Sequence, residues 1–231
     1  MPRTVPESRF KDLIECATRE FIARGYRLTQ MSDVADALGV AKGTLYLYVE
    51  SKEALFDAAL RFADGHAPPA SEIALPLPTP APGSLREELV TTLSAEVLPP
   101  ALAAALERKR VSDIRAEVEE IVRELYALAK SRRHAIKLID RCARDLPELA
   151  SLFYAGGRFA QLDALAAYLD ARIRDGHLAP ARDIPTAARF VIEAVATWAV
   201  HIHWDPAPQK IDPADAEETL VHFVLAGLLK E

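Results

Sequence analysis

Apolar residues recur along this chain at spacings of three and four almost from end to end, the period of one face of an α-helix. Phe10, Leu13, Ile14, Ala17, Phe21 and Ile22 make the first such stripe. Arg24-Gly25-Tyr26 ends it, and Gly25 suits a left-handed cap there. Thr29 is expected to cap a short helix over about Gln30 to Leu38, which Gly39 stops. A second short helix is predicted over about Lys42 to Val49. Ser51 then caps a longer one, Lys52 to about Ala63, with Glu53 well placed in its first turn. From His66 to Gly83 the pattern breaks. Pro68, Pro69, Pro76, Pro78, Pro80 and Pro82 disfavour a helix and predict an extended connector or exposed loop. Helical periodicity resumes over about Leu85–Ala105, Ser112–Lys130, Arg132–Asp145, Pro147–Asp175, Pro185–Trp204 and Pro213–Lys230. Strand signals are nearly absent. The expected fold is all-α. It comprises an N-terminal three-helix helix-turn-helix domain (1–65), a Pro-rich connector (66–84) and a larger helical domain (85–231).

Two short helices around a glycine turn make the stretch Leu28–Phe56 a helix-turn-helix. Val34, Ala35 and Leu38 supply the inner face of the first helix. Val40, Leu45 and Val49 complete a small core, and Ala35 lets the helices approach closely. That core leaves Lys42, Gly43, Thr44, Tyr46 and Tyr48 facing outward. In such motifs the second helix enters the DNA major groove. Tyrosine hydroxyls and lysine ammoniums are common phosphate contacts that set register without reading sequence. Lys52, at the start of the next helix, can grip the same backbone. Gly43 leaves room for DNA to pass closely.

Composition constrains this picture further. Half of the 231 residues are apolar and 27% are charged, as in a soluble protein with a substantial core. The net charge of −6 runs against a nucleic-acid partner, but its distribution does not. Met1–Phe62 carries nine Lys/Arg and nine Asp/Glu, so the acidic excess lies elsewhere. Cys16 and Cys142 fall in apolar helical patterns and read as buried free thiols of a reducing cytoplasm. The N-terminus lacks a signal-peptide stretch, and the most apolar segment elsewhere, Ala194–Ile202, is too short to span a bilayer. A cytoplasmic location without membrane contact is expected. No catalytic set, metal site or cofactor motif stands out. His201 and His203, two apart on a helix, point to different faces. Two rival readings stay open: an all-helical enzyme whose site is assembled from distant residues, and an architectural helical protein that uses DNA without a ligand.

Taken as one ordered string, Thr29, Asp33-Val34-Ala35, Gly39-Val40, Lys42-Gly43-Thr44-Leu45-Tyr46, Tyr48, Ser51-Lys52-Glu53 and Leu55 resemble the DNA-binding domain of TetR-family (tetracycline-repressor-like) regulators. The resemblance covers about Phe10 to Phe62. Ala41 departs from it where Ser or Thr is usual, and Val49 where Phe is usual. It implies a DNA-binding set of Thr29, Lys42, Gly43, Thr44, Tyr46, Tyr48 and Lys52. It also implies an all-helical C-terminal domain that dimerises and holds a small-molecule pocket. The dimer candidates are Val191, Ile192 and Val195 on one helix, with Leu220, Phe223, Val224, Gly227 and Leu228 on the last. Two such helices from each subunit would form a four-helix bundle. Apolar pocket candidates are Tyr126, Phe153, Tyr154, Phe159, Leu162, Trp198 and Ile202. Arg141, Arg158 and His201 are the polar ones, since pockets are mostly apolar with a few orienting groups. The implied function is a ligand-responsive transcriptional regulator. It would be a homodimeric repressor released from a palindromic double-stranded DNA operator by a small apolar or amphipathic effector.

Overall fold

The structure, a computed structural model, describes residues 7–65, 68, 72–81, 98–151 and 158–230. Its helices are α1 (Glu7–Arg24), α2 (Met31–Leu38), α3 (Lys42–Leu45), α4 (Lys52–Phe62), α5 (Pro100–Glu107) and α6 (Ile114–Ser131). They continue as α7 (Arg133–Cys142), α8 (Pro147–Ser151), α9 (Phe159–Arg174), α10 (Ile184–Ala199) and α11 (Pro213–Leu228), with a 3₁₀ turn at His201–Trp204 after α10. No helix among the described residues is long and apolar enough to cross a membrane.

The chain forms two compact units: residues 1–91 with 134–153, and residues 92–133 with 154–231. The division differs from the expected one, because 134–153 belong to the first unit although they follow the connector in sequence. In that first unit the predicted stripe of α1 is the core: Phe10, Leu13, Ile14, Ala17, Phe21 and Ile22 are all buried. Phe21 meets Phe56 of α4 edge to face at 5.1 Å, and Phe10 meets Phe62 at 6.1 Å. Gly25 ends α1 at φ 84°, where only glycine sits without strain. A Cβ there would also stand 3.0 Å from Asp145 Oδ2. That carboxylate accepts the Arg27 amide at 2.8 Å, and Cys142 donates to the Phe21 carbonyl at 3.8 Å, so the α7 region closes over the end of α1. The start of α7 is tied down as well. Asp64 accepts the His134 and Ala135 amides and lies 2.9 Å from His134 Nδ1.

In the second unit α6 is central and packs against α5, α10 and α11, while α9 packs on α5 and α10. Its polar heart is a buried ion pair. Arg172 Nε donates to Glu117 Oε1 at 2.7 Å, joined by the Tyr168 hydroxyl at 3.1 Å, and Arg108 donates to Oε2 at 2.8 Å. Arg172 Nη2 also donates to the Ala105 carbonyl at 2.7 Å, which ties α5, α6 and α9 together.

Several boundaries differ from the sequence pattern, for local reasons. Asp113, not Ser112, caps α6, accepting the Ala116 amide. The predicted Pro147–Asp175 helix appears as α8 and α9, with 152–157 outside the described residues. The helix expected from Leu85 is described only from Pro100, and 82–97 lie outside the described residues. Part of the Pro-rich stretch is not a bare loop: Leu77 pairs with Val49 as a short parallel bridge.

Candidate nucleic-acid interface

The interface starts from two caps. Gly39 ends α2 in the left-handed region at φ 69°, and its amide and that of Val40 return to α2 carbonyls, which turns the chain sharply. The N-cap of α2 is Gln30, whose amide donates to Asp33 at 2.8 Å, rather than the predicted Thr29. Thr29 turns inward instead. Its hydroxyl donates to the Gly25 carbonyl at 2.7 Å, and only 1% of the residue is exposed. The resemblance implies Thr29 as a DNA contact; the structure makes it a clamp on the end of α1.

The recognition element is shorter than predicted. It holds one turn, Lys42–Leu45, and the amides of Tyr48 and Val49 both close on the Leu45 carbonyl. The inward face follows the i, i+3, i+4 spacing from Leu45. Leu45, Tyr48 and Val49 are buried, Tyr48 at 3% exposure, so Tyr48 is corrected from a surface contact to a core residue. Lys42 and Gly43 are exposed, Thr44 is half-buried, and Tyr46 is 43% exposed. No Cβ clash forces glycine at position 43. Leu47, next to Tyr46 in sequence, is 51% exposed. The i, i+3, i+4 spacing of Leu45, Tyr48 and Val49 is the sequence signal that places Tyr48 inside and Leu47 outside. Ala41 makes no side-chain cap, in line with the loss of the usual Ser or Thr.

Lys52 is half-buried and already engaged. Its Nζ sits 4.4 Å over the Tyr26 ring and 3.4 Å from the Arg27 carbonyl. Tyr26 donates to Glu53 at 3.0 Å, and Ser51 caps α4 by accepting the Ala54 amide at 3.1 Å. The Glu53 carboxyl is held below its ordinary value, chiefly by its own backbone amide, with the Tyr26 and Ser51 hydroxyls adding to this. Burial, with Glu53 opposite, pushes the Tyr26 phenol well up. This polar group fixes the start of α4 relative to the turn after α1.

In the second unit the dimer candidates split. Val191, Ile192, Val195, Leu220 and Val224 are buried within the chain, and of these Val191, Leu220 and Val224 also line the groove between α10 and α11. Phe223 and Gly227 are exposed, and Leu228 is half-buried. Phe190, 74% exposed, and Phe223, 71% exposed, flank an open apolar groove of about 950 Å³ between α10 and α11. Trp198, predicted for a ligand pocket, lines this groove. Tyr126 is buried, Leu162, His201 and Ile202 are half-buried, and Phe159 is exposed. Arg158 is tied to Glu193. Arg141 belongs to the first unit, unlike the other described pocket candidates, and Phe153 and Tyr154 lie outside the described residues. Among the described residues no cluster of three or more metal-ligating side chains occurs.

Residues 13–59, from α1 to α4, match the family described as bacterial regulatory proteins, tetR family. This N-terminal segment is similar to the tetR family. The HTH-type transcriptional repressor KstR2 of Rhodococcus jostii is 42% identical to it over 53 residues, which is 23% of this chain and 26% of the relative. The HTH-type transcriptional regulator YhgD of Bacillus subtilis is 45% identical over 49 residues, 21% of this chain and 26% of the relative. The match therefore spans about a quarter of the length of these curated relatives. Over the whole chain the structure is similar to that of the ketosteroid transcriptional regulator KstR2 of Mycobacterium tuberculosis. The TM-score is 0.61 at 18% identity, covering 99% of this chain and 98% of that one. The structure of AibR in complex with isovaleryl coenzyme A and operator DNA gives a TM-score of 0.53 at 18% identity, covering 95% and 99%. The likeness to the all-helical fold of these structures thus extends beyond residues 13–59 to the second unit.

Proposed function

We propose that this chain is a ligand-responsive transcriptional regulator that binds a palindromic operator as a homodimer. It acts as a repressor in the cytoplasm and is released by a small apolar or amphipathic molecule. One observation carries the reading. The turn after α2 presents Lys42, Tyr46 and Leu47 to solvent on a rigid core, within a segment that matches tetR-family proteins. Lys42 and Tyr46 reach phosphates, Thr44 adds a hydroxyl at the edge, and Leu47 offers an apolar contact of the kind that thymine methyls accept. Lys52 supports this face through Tyr26 and meets DNA at its margin.

The exposed groove of α10 and α11 supports the homodimer. An apolar face flanked by two exposed phenylalanines is costly in water, and a two-fold partner covers it with the same residues. The second unit is the effector domain in this reading, with Tyr126, Leu162, Arg158, His201 and Ile202 as its pocket residues. AibR has been crystallised with isovaleryl coenzyme A and operator DNA together, which favours an amphipathic effector for a protein of this fold. Selection from a random duplex pool by the purified protein tests the proposal. Recovery of a palindrome by the wild type but not by Tyr46→Ala is expected. A pool that stays random for both overturns it.

A further inference from the structure

The Pro-rich stretch after α4 folds back onto the element that the DNA-binding reading depends on. The Leu77 amide donates to the Tyr48 carbonyl at 2.8 Å, and the Glu50 amide donates to the Leu77 carbonyl at 2.9 Å. Two residues on, the Thr79 amide donates to Glu50 Oε2 at 2.9 Å, and the Thr79 hydroxyl donates to Ser51 Oγ at 2.9 Å. Four hydrogen bonds therefore fasten 77–79 to 48–51, the short link between the recognition turn and α4. Elsewhere in that link the Tyr48 and Val49 amides close on the Leu45 carbonyl and the Ser51 carbonyl accepts the Leu55 amide. The helix before it is a single turn, and the Tyr48 carbonyl and the Glu50 amide fall between two helices, where neither gives them a partner.

We propose that residues 77–79 are a positioning strap for the recognition element, with Thr79 as its key side chain. The proposal rests on the DNA-binding reading above. Its logic is geometric. Tyr46 and Leu47 sit on a turn anchored from one side by Leu45, Tyr48 and Val49 in the core. The strap anchors the same stretch through its backbone, at the Tyr48 carbonyl and the Glu50 amide. Thr79 also reaches the cap of α4, because Ser51 accepts both the Thr79 hydroxyl and the Ala54 amide. Ser51 in turn supports Glu53, which holds Tyr26. Proline is well suited to such a strap. Pro76, Pro78 and Pro80 alternate with the pairing residues, so the segment loses little conformational entropy on being extended. The strap carries no lysine or arginine between Glu72 and Ala81, so it acts on DNA through the turn it holds rather than through phosphates.

The test compares the full-length wild type with Thr79→Ala, Thr79→Ser and Leu77→Pro. Binding to a selected operator duplex and to a scrambled duplex is measured at one salt concentration. Melting temperature and hydrogen exchange of the Glu50 amide are read alongside. Thr79→Ala and Leu77→Pro are expected to speed exchange at Glu50 and to weaken operator binding about tenfold, the scale of one or two lost hydrogen bonds. Scrambled-duplex binding and melting temperature stay near wild type, and Thr79→Ser, which keeps the hydroxyl, restores operator binding. A strap that merely stabilises the fold would lower melting temperature and both affinities together, which overturns the proposal. Unchanged operator affinity with a freed Glu50 amide also overturns it, as does fast exchange of that amide in the wild type. Failure of the wild type to discriminate the two duplexes is a different result, and it refutes the DNA-binding reading itself.

Discussion

Replacing Phe223 by aspartate separates assembly from folding. The residue is 71% exposed in the protomer, so its removal takes little from the protomer core. A phenylalanine carries about 150–250 Å² of surface, which leaves roughly 140 Å² of Phe223 open for a partner to cover. At about 25 cal/mol per Å², covering half of it contributes about 1.8 kcal/mol and covering all of it about 3.5 kcal/mol. A two-fold interface contains each residue twice, so the dimer loses about 3.5 to 7 kcal/mol. That range corresponds to a dissociation constant raised by about two and a half to five decades, before any cost of burying the new carboxylate. Sedimentation from nanomolar to tens of micromolar protein reads this directly, with far-ultraviolet circular dichroism as the check on folding. Phe223→Asp should be a folded monomer where the wild type is a dimer. Val195→Asp, buried in the protomer, should instead lose the fold. A Phe223→Asp protein that sediments as a dimer at low micromolar concentration refutes the assignment of this groove.

Three further outcomes follow from the interior. Glu117→Gln leaves the buried Arg172 guanidinium without its counter-charge and should cost about 3–5 kcal/mol by urea denaturation at fixed protein concentration. A loss below about 1 kcal/mol would show that the pair is not held tightly. Burial works to raise the Glu117 pKa, but the hydrogen bond and charge of Arg172 outweigh it, so the carboxyl titrates below its ordinary range. The unfolded chain therefore takes up this proton first. The contribution is present above the ordinary glutamate pKa and is lost as pH falls through the folded one. The acid fall in urea midpoint should be shallower in Glu117→Gln than in the wild type. Burial pushes the Cys142 thiol up to about 12, so a thiol reagent at pH 8 should label it only after denaturation; rapid labelling of native Cys142 would contradict its packing. Tyr46→Ala should abolish operator binding with an unchanged melting temperature. Tyr48→Ala should destabilise the fold by about 3 kcal/mol, and the reverse pattern would mean that the turn after Leu45 is wrongly placed.

The stripe of α1, the glycine stops at Gly25 and Gly39 and the Ser51 cap were legible because each is a local rule, satisfied within a few residues. The recognition turn was legible only in outline. Reading the outward face from composition puts Tyr48 outside, although Leu45, Tyr48 and Val49 stand at i, i+3 and i+4 and so share one helical face, with Leu47 opposite. Thr29 falls one residue before the cap: the helix starts after Gln30, and the Thr29 hydroxyl and amide both donate back to the Gly25 carbonyl. The pairing of Leu77 with Val49 and of Asp64 with His134 links residues 28 and 70 positions apart, and no periodicity encodes them. Among the dimer candidates, one apolar stripe served two purposes. Its inner members fill the protomer, and exposure alone picks out Phe190 and Phe223.

The central claim is that the face carrying Lys42 and Tyr46 grips DNA. The most direct measurement is operator affinity as a function of salt for the wild type and Lys42→Gln. If Lys42 meets a phosphate, the logarithm of affinity falls linearly with that of salt, and the variant's slope is shallower by about one. A wild-type affinity that is flat with salt, or a Lys42→Gln slope equal to the wild type's, would contradict the account.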